Sequence, residues 1–210
     1  MPSLHEPSEE GLQLAYDLAR QKLAGIDLQE VCRRSGAKAM DQDHLALRFL
    51  NRPYRVTLST GNISLQDEEE EVPLKEGILI LHYLTRAEGI PFTDQLITYG
   101  QLQGGKFYCP VFIKRTVEPL LKCFGNKPER LLEVAQKFGA RPASHGDLSV
   151  AIDAFPLVRI VIVLWRGDDE VPSNGNILFD KNISHSLSSE DVTVLTETLI
   201  WKLIRLATKS

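Results

Sequence analysis

The chain lacks the short motifs that mark the common phosphate-binding, metal-binding and hydrolytic sites. It has no complete GxxxxGK[ST] or GxGxxG pattern for cradling a phosphate, no HExxH or CxxC pattern for holding a metal, and no GxSxG turn for a serine nucleophile. Each of these chemistries needs its residues at a fixed separation. The familiar versions of these sites are therefore excluded, and the sequence indicates no particular cofactor.

Long apolar runs and paired cysteines are also missing. The longest apolar run, residues 157–165, is interrupted by Arg159 and is about half as long as a membrane span. The amino terminus has neither the basic region nor the apolar core of a signal peptide. The three cysteines, Cys32, Cys109 and Cys123, are widely spaced and form a poor disulfide framework. We therefore expect a cytoplasmic protein with no membrane partner.

Basic charge is scarcer than acidic charge. The chain has 24 Lys and Arg against 28 Asp and Glu, a net charge of -4. Proteins that bind nucleic acids usually present a basic face, so we expect no nucleic-acid partner. The apolar content of 43% is ordinary for a globular protein. Because the sequence shows neither an internal repeat nor a linker, we predict a single domain over residues 1–210.

Apolar residues at helical spacing predict helices near both ends and in the centre of the chain. Ser8 and Asp27 are placed to cap the first two helices, and Ser188 with Asp191 forms a capping-box-like pattern before the last one. Pro119 should kink or divide one of the central helices. The central predicted helices cover residues 74–89, 109–125 and 126–140.

Alternating apolar and polar residues predict a hairpin with a third strand over residues 44–65, followed by an exposed acidic loop at residues 67–71. The run VRIVIVLW is apolar on both faces and should lie in the centre of a sheet. Strands and helices come in short runs without strict alternation, so we predict an α+β fold with an antiparallel or mixed sheet covered by helices. The later predicted strands cover residues 95–102, 147–155, 158–165 and 176–180.

Polar groups are most concentrated between the central apolar strand and the last helix. Trp165 could stack on a planar ligand, and we predict a ligand-binding site from Trp165, Asp168, Asp180 and His185. Carboxylates and an imidazole can also hold a divalent metal, which gives Asp168, Glu170, Asp180 and His185 as candidate metal ligands. The alternative is that the acidic turn is only solvated and that the histidine packs in a loop.

The last predicted helix is apolar on two sides. One stripe comprises Val192, Leu195, Leu199, Leu203 and Leu206. The second stripe, roughly opposite, comprises Ile200, Trp201 and Ile204. Such a helix is either sandwiched within the fold or shared with a second copy in a homo-oligomer.

Several segments resemble one protein family. They are ILILHYL near Ile78, FGxxxExL from Phe124, GDxSVA from Gly146, LWxGDxExP from Leu164 with ILFD after it, and HSLxxED from His185. These segments resemble the bacterial and archaeal family known as domain of unknown function 3786, found largely in anaerobes, over about residues 15–206. The resemblance implies a cytoplasmic protein and supplies no activity. Some relatives carry a cysteine-rich iron–sulfur segment, and this chain has no such cluster.

These features lead to three functional hypotheses. The first is a non-catalytic protein of anaerobic metabolism that binds a small molecule or cofactor, or serves as an accessory protein. The second is a metal-dependent enzyme that uses the cluster of Asp, Glu and His side chains. The third is an oligomeric scaffold subunit that uses the second stripe of the last helix.

Overall fold

The structure is a computed structural model that describes residues 8–66 and 70–209. Helices and antiparallel sheets are both prominent, which confirms the predicted α+β fold class. Residues 67–69 of the predicted acidic loop lie outside the described residues. Within that loop, the described Glu70 is paired with Arg52 at 2.7 Å.

The first two helices begin at the capping residues that the sequence predicts. Helix α1 spans Glu9–Ala24 and α2 spans Leu28–Ser35, and the side chains of Ser8 and Asp27 accept N–H groups of the first turns. Gly36 ends α2 in the left-handed region with φ of 72°. No helix in the described part of the chain is both long and apolar enough to cross a membrane. The remaining helices are α3 Leu74–Arg86, α4 Gly105–Arg115, α5 Val117–Phe124, α6 Glu129–Ala135 and α7 Ser189–Lys209.

The helix predicted over residues 109–125 is divided, as expected for a segment that contains Pro119. The break falls at Thr116, whose φ of -128° and ψ of -59° separate α4 from α5. Pro119 is the third residue of α5, where its missing N–H would have no intrahelical carbonyl to bind. The helical segment also begins earlier than predicted, at Gly105.

The strands form two sheets, and every strand pair in the described residues is antiparallel. The first sheet has the order β1-β2-β3-β4, with β1 Lys38–Ala39, β2 His44–Phe49, β3 Arg52–Thr57 and β4 Ile63–Leu65. The second has the order β5-β9-β8-β7-β6, with β5 Leu96–Thr98, β6 Arg141–Pro142, β7 Leu148–Phe155, β8 Val158–Trp165 and β9 Asn174–Asp180.

Strand β8 lies in the centre of the five-stranded sheet, as its sequence predicts. It is flanked by β7 and β9, and consecutive residues that point to opposite faces are both buried. Ile160 and Ile162 are 0% exposed on one face, while Val161 and Val163 are 2% and 0% exposed on the other. Apolar side chains at every position are what a strand buried on both faces requires.

An aromatic stack joins the two sheets to α3. The ring of Phe155, at the end of β7, lies 4.7 Å from the ring of Phe49 on β2 and 4.2 Å from the ring of Tyr83 on α3. All three side chains are at most 1% exposed. Aromatic pairs in this geometry stabilise a protein by about 0.5–1.5 kcal/mol beyond their burial. Since the three rings come from both sheets and from α3, their stacking holds these elements together.

Helix α7 is embedded in the core more deeply than its two stripes suggest. Leu195, Leu199 and Leu203 of the first stripe are 0% exposed, and Ile200 of the second stripe is also 0% exposed. The predicted interface therefore loses Ile200 to the core, whereas Trp201 remains 50% exposed. The sandwiched arrangement describes most of this helix. A homo-oligomer formed through Trp201 stays a prediction.

Candidate functional site

Strand β9 separates the predicted site residues into two groups. Trp165 ends β8 and pairs with Asn174, the first residue of β9, whereas Asp180 is the last residue of β9. Six residue steps of about 3.3 Å place these two ends about 20 Å apart. His185 follows Asp180 in a 3₁₀ turn, Lys181–His185. The structure therefore does not bring Trp165 and Asp168 together with Asp180 and His185.

The acidic turn after β8 is folded around one of its own carboxylates. Asp168 accepts the N–H groups of Glu170 and Val171 at 2.9 and 2.8 Å, and its own N–H donates to the Val171 carbonyl at 2.9 Å. The N–H groups of Glu170 and Val171 hold the pKa of Asp168 below its ordinary value. The side chains of Asp168 and Glu170 are exposed. This arrangement agrees with the solvated-turn alternative.

A shallow cleft beside the acidic turn has a volume of about 450 Å³ and carries charges of both signs. Its one cation, Arg166, is already bound by the carboxylate of Glu129. Its anions are Asp168 and the neighbouring Asp169. Because the arginine is paired and Asp168 is used by the turn, the lining does not favour a ligand of either charge. Trp165 is 40% exposed and is not part of this lining.

Asp180 is a structural residue and not an open ligand. Its side chain is 1% exposed and accepts the N–H groups of Thr93, Asp94 and Asn182 at 2.8–3.1 Å, together with the Thr93 hydroxyl at 2.8 Å. Burial acts to raise the pKa of Asp180, but these hydrogen bonds outweigh it and hold the pKa below its ordinary value. Since its lone pairs are occupied, Asp180 anchors residues 93–95 to the end of β9.

His185 lies in the wall of a second cleft, of about 500 Å³. The imidazole Nδ1 lies 2.8 Å from Glu88 Oε2, and the Glu88 N–H donates to the His185 carbonyl at 3.1 Å. These contacts orient the ring and leave Nε2 available to a ligand. We name this cavity the β5 cleft. It is lined by Gln95, Leu96, Ile97, Gln101, Lys181, Ser184 and His185.

The β5 cleft gathers hydrogen-bond donors. β5 is an edge strand of its sheet. The Gln95 carbonyl accepts the Lys181 N–H at 2.8 Å, so Gln95 faces the neighbouring strand. Successive residues of an antiparallel strand alternate in direction, and the N–H and C=O of Leu96 therefore point towards the open edge. The Oε1 atom of Gln101 accepts the N–H and hydroxyl of Thr98, which leaves its amide N–H₂ as the free group. The Lys181 ammonium forms no ion pair with any residue that the structure describes. Among the residues that the structure describes, no carboxylate lines the cleft.

The predicted metal ligands do not form a metal site. Within residues 8–66 and 70–209, no group of three or more His, Cys, Asp or Glu side chains is arranged to hold a metal ion. Asp168 and Glu170 lie at the end of β9 opposite to Asp180 and His185. Asp180 is saturated by N–H groups, and His185 is bound to Glu88. The hypothesis of a metal-dependent enzyme therefore gains no support.

A second histidine–carboxylate pair links α3 to the start of α7. His82 Nδ1 lies 2.7 Å from Asp191 Oδ1, and Asp191 Oδ2 accepts the N–H and the hydroxyl of Ser188 at 3.1 and 2.5 Å. Burial acts to raise the pKa of Asp191, but His82 and Ser188 hold it below its ordinary value. The sequence indicated a capping role for Asp191, and the side chain of His82 is 33% exposed. Because the partners are 109 residues apart, no local pattern could reveal the pair.

The glycines before α4 have part of the spacing of a phosphate-binding loop. Gly100, Gly105 and Lys106 fit GxxxxGK, but Phe107 stands where the motif needs Ser or Thr. A Cβ atom on Gly105 would lie 2.0 Å from the carbonyl oxygen of Tyr99. The loop is therefore filled by its own backbone, and it leaves no cradle for a phosphate.

The chain was compared with family models, curated proteins and solved structures. A family model described as domain of unknown function (DUF3786) matches residues 27–202, which confirms the resemblance found in the sequence motifs. No curated protein and no solved structure matches the chain.

Proposed function

The chain belongs to the family described as domain of unknown function (DUF3786), and from this premise we propose that it is a non-catalytic protein that binds a small anionic molecule in the β5 cleft. The observation that carries the proposal is the lining of this cleft. Donors from Lys181, Ser184, Gln101 and the edge of β5 meet there, and no carboxylate is among them. A carboxylate or phosphate group is the chemistry that such a set of donors recognises.

The size of the β5 cleft suits a small molecule. Its volume of about 500 Å³ falls within the range of about 300–1,000 Å³ that ligand sites usually occupy. Leu96 and Ile97 add an apolar side to the lining, so a ligand with an anionic group and a short apolar body would fit both parts. His185, held by Glu88, would contact the ligand through Nε2.

We propose binding and not catalysis because of how the cleft's polar groups are paired. Among the described residues that line it, no nucleophile is hydrogen-bonded to a base: the imidazole of His185 is held by Glu88, and no hydrogen bond joins it to the hydroxyl of Ser184. We place this function in the cytoplasm of an anaerobe, as the resemblance to the family implies.

Thermal unfolding with simple anions tests this proposal. The purified protein is titrated with acetate, a dicarboxylate and inorganic phosphate, with chloride at equal ionic strength as the reference. Binding of one anion at a hundred times its Kd should stabilise the protein by about 2.7 kcal/mol. Loss of a charge-assisted hydrogen bond in Lys181→Ala should weaken binding by about tenfold or more.

The matched control is Lys137→Ala, which removes an exposed lysine outside the cleft. The control should bind the anion as the unmodified protein does. If none of the anions stabilises the protein more than chloride, or if both lysine variants lose binding equally, the β5 cleft is not an anion site.

A further inference from the structure

We infer that the outer face of α4 is a docking surface for an acidic segment of another protein. At about 100° per residue, five side chains of this helix fall within an arc of about 120°. We call this arc the α4 face. It consists of Lys106, Phe107, Pro110, Ile113 and Lys114, all of which are exposed.

The fold leaves much of the apolar surface of the α4 face exposed. Phe107 is 88% exposed and Ile113 is 41% exposed. The opposite side of the helix supplies the packing, because Phe112 is 2% exposed and its ring stacks on that of Tyr99 at 4.2 Å. Neighbouring apolar groups left in water on one helix are typical of an interaction surface.

Charge indicates the chemistry of the partner. Between Asp94 and Glu118 the sequence has no acidic residue, although acidic residues outnumber basic ones in the whole chain. Lys106 and Lys114 form no ion pair with any residue that the structure describes. They stand at the two ends of the apolar part of the α4 face, so an acidic partner segment would meet a cation at each end.

Three carboxylates close to α4 form no ion pair with Lys106 or Lys114 in the part of the chain that the structure describes. Glu118, four residues after Lys114, is exposed. Glu197 on α7 is bound by Arg115, at the end of α4. Burial raises the pKa of Tyr99, and the charge of Glu190, in the first turn of α7, adds to this rise. Tyr99 stacks on Phe112, on the buried side of α4. The α4 face itself therefore carries positive charge only.

A second copy of this chain and a nucleic acid both fit the α4 face less well. Two-fold pairing of α4 with α4 would oppose Lys106 to Lys114 in an antiparallel arrangement, and like charges across an interface are unfavourable. A nucleic acid would use several aromatic rings for stacking, but Phe107 is the one aromatic residue among the five of the α4 face, and the net charge of the chain is -4. An acidic peptide with apolar side chains matches both the charge and the apolar contacts.

The α4 face is separate from the β5 cleft. α4 follows β5 and the 3₁₀ turn Tyr99–Gln101 in the chain, but the residues that line the cleft come from residues 95–97, that turn and residues 181–185. Docking on the α4 face therefore does not depend on which ligand the cleft holds.

Fluorescence anisotropy with three synthetic peptides tests the inference on the full chain. The first peptide is an amphipathic helix with Leu and Phe on one face and Glu on the other. The second is a scrambled peptide of the same composition, and the third replaces each Glu by Lys. We expect only the first to bind. Phe107→Ser and the double variant Lys106→Glu, Lys114→Glu should each weaken its binding by about tenfold or more, as loss of a hot-spot residue does.

Leu14→Ser is the matched control, because Leu14 is 62% exposed on α1, away from the α4 face. It should bind as the unmodified protein does, and Phe107→Ser should keep its melting temperature because its side chain is not packed. Ile113→Ser serves as a second apolar variant. The inference is overturned if no peptide binds, if the Lys peptide binds as well as the Glu peptide, if a single-stranded RNA displaces the Glu peptide, or if sedimentation shows that α4 mediates self-association.

Discussion

Replacing Asp180 tests whether this residue, predicted from the sequence as a ligand, is a structural anchor. Asp180→Asn keeps one oxygen that can accept hydrogen bonds but turns an amide N–H₂ towards N–H donors. Of the contacts with Thr93, Asp94 and Asn182, about two charge-assisted hydrogen bonds should be lost. At about 1.5–3 kcal/mol each, the expected loss in the free energy of unfolding is about 3–6 kcal/mol. Against an ordinary stability of about 5–15 kcal/mol, this loss would bring a domain at the lower end close to unfolding and leave one at the upper end folded.

The pH dependence gives this prediction a sharper form. Although burial opposes ionisation, the N–H donors lower the folded-state pKa of Asp180 below the unfolded value of about 3.9. A carboxyl group with a lowered folded pKa stabilises the protein at higher pH, and this contribution is lost as the pH falls through the folded pKa. The difference between the unmodified protein and Asp180→Asn should therefore be constant from neutral pH to about pH 5 and shrink below about pH 4.

Urea unfolding at a series of pH values measures both effects. Thr93→Val is the comparison variant. It leaves the Asp180 carboxylate and its N–H donors in place and removes the hydroxyl bond to Asp180 at 2.8 Å and the bond from the Gln95 N–H at 3.3 Å. It should cost about 1–2 kcal/mol without a strong pH dependence. A difference for Asp180→Asn that stays the same down to low pH would refute the reasoning. So would a cost below that of Thr93→Val.

Two further substitutions probe positions where the local geometry is tight. Ser188→Ala removes the hydroxyl that accepts the Asp191 N–H at 3.1 Å and should lower the free energy of unfolding by about 1–2 kcal/mol in urea titration. Gly146→Ala should cost about 2 kcal/mol or more in melting experiments, because φ is +58° and the new Cβ would lie 2.7 Å from Val163 and 2.8 Å from the Leu164 carbonyl oxygen.

Each of these substitutions has a matched control. Ser189→Ala changes the neighbouring serine, which does not cap α7, and should leave stability nearly unchanged. Gly25→Ala places a Cβ no closer than 3.9 Å to any other group and at a negative φ of -91°, so it should be neutral or stabilise slightly. Equal losses in a substitution and its control would show that the contacts described for Ser188 or Gly146 are not the cause.

Local patterns in the sequence were enough to predict most of the helices and strands. Ser8, Asp27 and Ser188 act on N–H groups within three residues of themselves, so the helix starts depend only on nearby sequence. The apolar residues on both faces of β8 predicted its central position in the sheet, because only a strand covered on both sides can bury both faces. The family resemblance was equally local, since it rests on short runs of residues.

Which side chains meet was decided by the tertiary structure alone. Asp180 could be seen in the sequence, but two of the three N–H groups that saturate it come from residues 86 and 87 positions away. The partnership of His82 with Asp191 and the donors of the β5 cleft likewise join segments that are distant in the chain. The periodicity of a sequence shows which face of a helix or strand is buried. The site depends instead on which strand edge and which turn become neighbours, and this is determined by the packing of the whole chain.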